Sequence, residues 1–118
     1  MKLMIVEDNE PMRRLMRSFV APLADQICEC GNGAEAVAAY AVQRPDWVLM
    51  DVEMQPLDGL SATRQIKARF ADAKIIIVTQ YNDAETRRAA HEAGAVDYVL
   101  KENLDAVRKI LRRASAAE

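Results

Sequence analysis

Much that would mark other classes of protein is scarce or missing in this sequence. No apolar run approaches the roughly 20 residues that a membrane span requires. No surplus of one charge exists either: 16 Lys and Arg stand against 18 Asp and Glu, for a net charge of −2. That balance gives no sequence-independent attraction to nucleic acid or to an anionic membrane surface, so neither is expected as a direct partner. Cysteine is limited to Cys28 and Cys30. Two residues apart on a strand, their Cα atoms would lie about 6.5–7 Å apart, at or beyond the edge of disulfide geometry. With no further Cys or His nearby they make a poor zinc site, and small core residues are the plain reading. The single histidine, His91, follows Ala90 on a helix expected to be exposed, which suits a solvated side chain. Met1–Val6 turns acidic at Glu7-Asp8 instead of running on to a small-residue cleavage site. A protein kept in the reducing cytoplasm is therefore expected.

What remains is a chain of 118 residues, 51% hydrophobic and 29% charged. That is the size of one domain, taken here as residues 1–118, and enough apolar material for a core. No internal repeat, low-complexity segment or linker interrupts it.

Two periodicities alternate along the chain. Short apolar runs at Leu3–Val6, Gln26–Cys30, Trp47–Met50, Lys74–Thr79 and Val96–Leu100 read as strands. Between them, Met12, Leu15, Met16, Phe19 and Val20 have the spacing of one buried helix face, as do Leu104, Val107, Ile110, Leu111 and Ala114. Asn9 is placed to cap the first helix, with Pro11 in its first turn. Asn32…Glu35 and Asn82…Glu85 have capping-box spacing, and Gly94 sits where a left-handed residue would end the fourth helix. That helix, roughly 83–93, has little but Ala84, Ala89, Ala90 and Ala93 for a buried face. Five strand–helix repeats predict an α/β fold with a parallel sheet covered on both sides. Trp47, about 13 Å along its strand from Asp51, is expected in the core.

The carboxylates fall in a telling place. Glu7 and Asp8 follow the first strand, and Asp51 follows the third. Ligands of doubly wound sheets bind beyond the carboxyl ends of the strands, where the winding reverses. One acid at a wet strand end is ordinary. Three, directly after apolar residues, converge in one crevice if strands one and three are neighbours. Such a cluster is costly unless a hard cation relieves it, and Mg²⁺ prefers one or two carboxylates, waters and phosphate oxygens. The product is a site able to bring a phosphoryl group to a carboxylate nucleophile. Thr79 and Lys101, at the ends of the fourth and fifth strands, supply a hydroxyl donor and a cation for phosphoryl oxygens.

Taken in order, Val6-Glu7-Asp8, Leu49-Met50-Asp51, Met54 with Asp58-Gly59, Val78-Thr79 and Tyr98-Val99-Leu100-Lys101 resemble the receiver domains of two-component response regulators. The likeness covers nearly the whole chain. It implies a flavodoxin-like doubly wound (βα)5 fold with strand order 2-1-3-4-5. It implies that Asp51 is the phosphoacceptor in a phosphorelay. It also implies Mg²⁺ on Asp8, Asp51, the Glu53 backbone carbonyl and, through water, Glu7. Thr79 and Lys101 would bind the phosphoryl group, with Thr79 and Tyr98 as the switch pair. The donor would be a sensor histidine kinase or phosphotransfer protein. The output would be a downstream protein or a homodimer on the face of the fourth helix, fifth strand and fifth helix. No enzymatic turnover is expected beyond the domain's own phosphoryl transfer and autodephosphorylation.

The sequence departs from that pattern twice. Such domains commonly carry proline four residues after the acceptor, where Gln55 stands here with Pro56 next; and the residue after the threonine, often very small, is Gln80. A stand-alone regulator is the first expectation, and a receiver excised from a regulator with a DNA-binding output domain the second. A haloacid-dehalogenase-type phosphatase would put its nucleophile after the first strand. A flavin carrier of the same architecture would need a phosphate loop where Glu7-Asp8-Asn9-Glu10 repels phosphate. A phosphorylation-independent docking module would usually lack part of the site.

Overall fold

The computed structural model describes residues 1–116. Five strands, β1 (Lys2–Val6), β2 (Gln26–Cys30), β3 (Trp47–Met50), β4 (Ile75–Thr79) and β5 (Asp97–Leu100), form one parallel sheet in the order β2-β1-β3-β4-β5. Helices α1 (Glu10–Val20), α2 (Gly33–Gln43), α3 (Gly59–Arg69), α4 (Ala84–Ala93) and α5 (Asp105–Ala116) alternate with them. The expected fold class and strand order are those observed. Among the described residues no helix is long and apolar enough to cross a membrane.

Side-chain alternation along the strands divides the core in two. Leu3, Ile5, Leu49, Ile76 and Val78 face α1 and α5, packing with Met16, Val20, Val107 and Leu111. Met4, Val6, Val48, Met50, Ile75 and Ile77 face the other way, onto Ala36 and Tyr40 of α2, Ala62 and Ile66 of α3, and Ala90 of α4. β1, β3 and β4 are covered on both sides, which is why their sequences run apolar without a break. Trp47 is buried in the α1–α5 half, as expected of a core residue.

Several local expectations need correction. Leu15 is 45% exposed. At about 100° per residue it falls at the margin of the stripe that Met12, Met16, Phe19 and Val20 present to the sheet, and that stripe already fills the space. Lys74 and Val96 lie just outside β4 and β5. Ala84 is exposed and Ala89 half-buried, so Ala90 and Ala93 alone are the buried residues of α4.

The α4 cap is Asp83, not Asn82. Asp83 accepts from the Thr86 N–H at 2.8 Å and from its hydroxyl, while Asn82 Oδ1 receives the Arg87 guanidinium at 2.8 Å. Starting one residue later gains a second bond and puts a carboxylate at the positive end of the helix. Asn9 and Asn32 cap α1 and α2 as expected. The Glu35 carboxylate, however, returns to the N–H of Gly31 instead of that of Asn32. Gly94 ends α4 with φ 102°, a conformation that favours glycine.

Candidate functional site

The reversal of winding between β1 and β3 opens a cleft of about 810 Å³ beyond their carboxyl ends. The two strands pair directly, with Val6 beside Met50, and the Asp51 N–H donates to the Val6 carbonyl at 3.0 Å. Glu7 and Asp51 are thereby set side by side at the cleft floor, 0% and 3% exposed, while Asp8 is exposed at its edge. Each of the three offers a carboxylate oxygen within 4.8 Å of the others.

Lys101, the residue after β5, closes the cluster. Its Nζ lies 2.8 Å from Glu7 Oε1 and 3.1 Å from Asp51 Oδ1. Burial raises the Glu7 carboxyl to about 7, with the Asp51 charge adding to the rise and Lys101 and the Asn9 N–H opposing it. Burial likewise raises Asp51, against the pull of Lys101. For Lys101 burial works against the charge, but contact with Glu7 and Asp51 outweighs it and its pKa is raised.

One ammonium does not satisfy this cluster. With all ionised, three carboxylates and one lysine leave two negative charges. Glu7 Oε1 is buried and forms no hydrogen bond; its contact with Lys101 Nζ at 2.8 Å is an ion pair. An all-oxygen donor set with spare negative charge and an unsatisfied buried oxygen fits a hard divalent cation.

Other expected site residues sit around this centre. Glu53 is exposed on the cleft wall, with Gln55, Gln80 and Tyr81 along the rim. Thr79 is buried, and its Oγ1 accepts from the Tyr81 N–H at 3.2 Å. Tyr98 is half-buried; its hydroxyl reaches the Tyr81 carbonyl, and the Arg87 guanidinium lies 4.6 Å from its ring centre. A hydrogen-bonded path thus runs from Thr79 through Tyr81 to Tyr98.

Sequence reasoning gave no role to three supports of the site. Gly59 donates to the Val52 carbonyl at 2.9 Å and lies so close to Asp51 that any Cβ would overlap the Asp51 carbonyl. Asp58 caps α3 through the Ser61 N–H and hydroxyl, both at 2.8 Å. Arg13 Nη1 donates to the Glu7 carbonyl at 2.8 Å. Asp58-Gly59 is a legible turn-and-cap signal; nothing in the sequence marks Arg13.

Residues 3–112 match the family described as the response regulator receiver domain. The chain belongs to that family. It is 33% identical to the transcriptional regulatory protein LiaR of Bacillus subtilis over 120 residues, which take in 99% of this chain and 57% of LiaR. It is 38% identical to the chemotaxis protein CheY of Halobacterium salinarum over 100 residues, 85% of this chain and 83% of CheY. The response regulator domain of Thermotoga maritima CheB has the same fold, with a TM-score of 0.86 at 23% identity, covering 97% of this chain and 95% of that one. This receiver domain therefore matches both a relative of similar extent and one of which it spans little more than half. Receiver domains serve two-component phosphorelay signalling, and that is the functional class of this one.

Proposed function

We propose that Asp51 accepts a phosphoryl group from the phosphohistidine of a sensor kinase or phosphotransfer protein, or from a small acyl phosphate, and that the modified domain signals through α4, β5 and α5. The observation that carries this is the position of Lys101 Nζ, 2.8 Å from Glu7 and 3.1 Å from a nearly buried Asp51 at neighbouring strand ends.

In the transfer, an Asp51 carboxylate oxygen forms a bond to phosphorus as the bond to the donor's nitrogen or acyl oxygen breaks. The leaving group departs with that electron pair. Asp8, Asp51 and the Glu53 carbonyl, with Glu7 through water, would hold Mg²⁺, which when bound neutralises charge on the phosphoryl oxygens. Lys101 then pairs with a phosphoryl oxygen in place of the free Asp51 carboxylate. The Thr79 hydroxyl, now engaged with the Tyr81 N–H, turns to donate to another phosphoryl oxygen. That change releases or re-seats Tyr81 and, through its carbonyl, Tyr98. The chain turns over no other substrate than its own phosphoryl group.

The output partner is a protein, either a downstream target or a second copy of the chain. The test is incubation with acetyl phosphate and Mg²⁺ followed by intact-mass measurement. Wild type should gain the mass of one phosphoryl group, and Asp51→Asn should gain nothing. Equal labelling of the two would remove Asp51 from the role.

A further inference from the structure

One cation stands behind the acidic cleft with no part in the chemistry above. Arg13, on α1, has its side chain 22% exposed. Its Nη1 holds the Glu7 carbonyl at 2.8 Å, and its Nε donates to Glu29 on β2 at 3.0 Å. The other Glu29 oxygen accepts from Arg17 at 2.7 Å. The brace runs from α1 to the edge strand and ends on the peptide between Glu7 and Asp8.

That peptide decides where Asp8 points. Asp8 is exposed, so core packing does not aim its side chain. The main chain on either side does. Arg13 holds the peptide before it, and Glu7 Oε2 holds the one after it through the Asn9 N–H at 3.1 Å. Each peptide is a rigid plane, so fixing both fixes the direction in which the Asp8 Cα–Cβ bond leaves the main chain. A forked guanidinium serves two acceptors at set angles, which a lysine ammonium does not reproduce.

We propose that Arg13 is a positioning residue of the carboxylate cluster: braced by Glu29, it holds the Glu7–Asp8 peptide so that Asp8 stays within reach of Glu7 and Asp51 for a divalent cation. The proposal rests on reading the cleft as a Mg²⁺ site. It differs in sign from a simple charge effect. A nearby cation repels Mg²⁺, so its removal on that ground alone would tighten binding. Losing an outer support of a ligand weakens binding, by about tenfold or more.

Calorimetric Mg²⁺ titrations of wild type, Arg13→Gln and Arg13→Lys test it, with Asp8→Ala as the reference for a lost ligand. Thermal unfolding is used to confirm that each variant is folded. Arg13→Gln should bind Mg²⁺ about tenfold more weakly, and Arg13→Lys should also weaken although its charge is kept. In acetyl phosphate labelling, the half-saturating Mg²⁺ should rise while the plateau rate stays within about twofold of wild type. Without metal, the Asp8 and Asn9 amide signals should move in Arg13→Gln. Folded Arg13→Gln that binds Mg²⁺ as tightly as wild type, or more tightly, overturns the proposal. Absence of Mg²⁺ binding by wild type would instead overturn the site reading and this inference with it; unmoved Asp8 and Asn9 signals would overturn this inference alone.

Discussion

The hydroxyl of Tyr98 donates to the main-chain carbonyl of Tyr81 at 2.5 Å. Tyr81 in turn gives its N–H to Thr79, so a side chain on β5 is tied to the loop that carries the buried threonine. Tyr98→Phe keeps the ring under Arg87 and removes only this bond, a net loss of about 1 kcal/mol. Labelling of Asp51 should be unchanged. Hydrogen exchange should quicken at residues 80–82 in the unmodified protein, and the response of residues 83–112 to a phosphoryl mimic should shrink. A wild-type response from Tyr98→Phe would take Tyr98 out of the path.

Lys101 is the fixed cation between Glu7 and Asp51. Lys101→Ala should still be labelled to some extent, since the nucleophile and the acidic cluster remain. It should lose the conformational response, because the cation that follows the new charge is gone. Amide spectra with and without beryllofluoride measure this. The full wild-type shift pattern in the variant would count against it.

Asp8 is the exposed member of the cluster and the one carboxylate not engaged by Lys101. Asp8→Ala should weaken Mg²⁺ binding by at least about tenfold, roughly 1.4 kcal/mol. Equal affinity in a direct titration would remove it from the ligand set.

Asp58 links the loop after the acceptor to α3. Its carboxyl is held below the ordinary range: partial burial opposes this, but the Ser61 N–H and hydroxyl outweigh it. A depressed carboxyl contributes stability that is present above its unfolded pKa and is lost as pH falls through the folded one. Asp58→Ala should cost about 1 kcal/mol in urea unfolding at neutral pH. The gap should narrow as pH falls below the ordinary carboxylate range and both states protonate. Asp58→Asn, which still accepts from the N–H, should cost less and lose this pH dependence. A gap that stays constant across that range would show the carboxylate charge to be irrelevant.

The fold was legible because the apolar runs of β1, β3 and β4 have no alternative to burial on both sides. The acids at their ends were legible because Glu7, Asp8 and Asp51 follow those runs without a spacer. What stayed hidden depends on neighbours in space. Leu15 has the right spacing for a buried face, yet only packing shows that Met12, Met16 and Phe19 already fill it. Asn82 and Asp83 are both capping residues, and the choice turns on whether Thr86 adds its hydroxyl. Arg13 is one of three arginines on α1; Arg17 reaches Glu29 as well, and only the bond to the Glu7 carbonyl singles Arg13 out.

Gly59 sits against the carbonyl of Asp51, and its own carbonyl accepts from the buried Thr63 hydroxyl at 2.7 Å. The first turn of α3 is therefore mortised to the acceptor residue, whereas α4 is seated by two alanines. The two helices have unequal freedom to diverge. Sequence on the α3 side is bound to the chemistry, since even one methyl group there would strike Asp51. On the α4–β5 side, exposed positions such as Arg88, His91 and Val96 touch none of the acidic cluster and are open to be rewritten. A lineage of such domains, or an engineer, has room to exchange the listener while leaving the receiver's chemistry untouched.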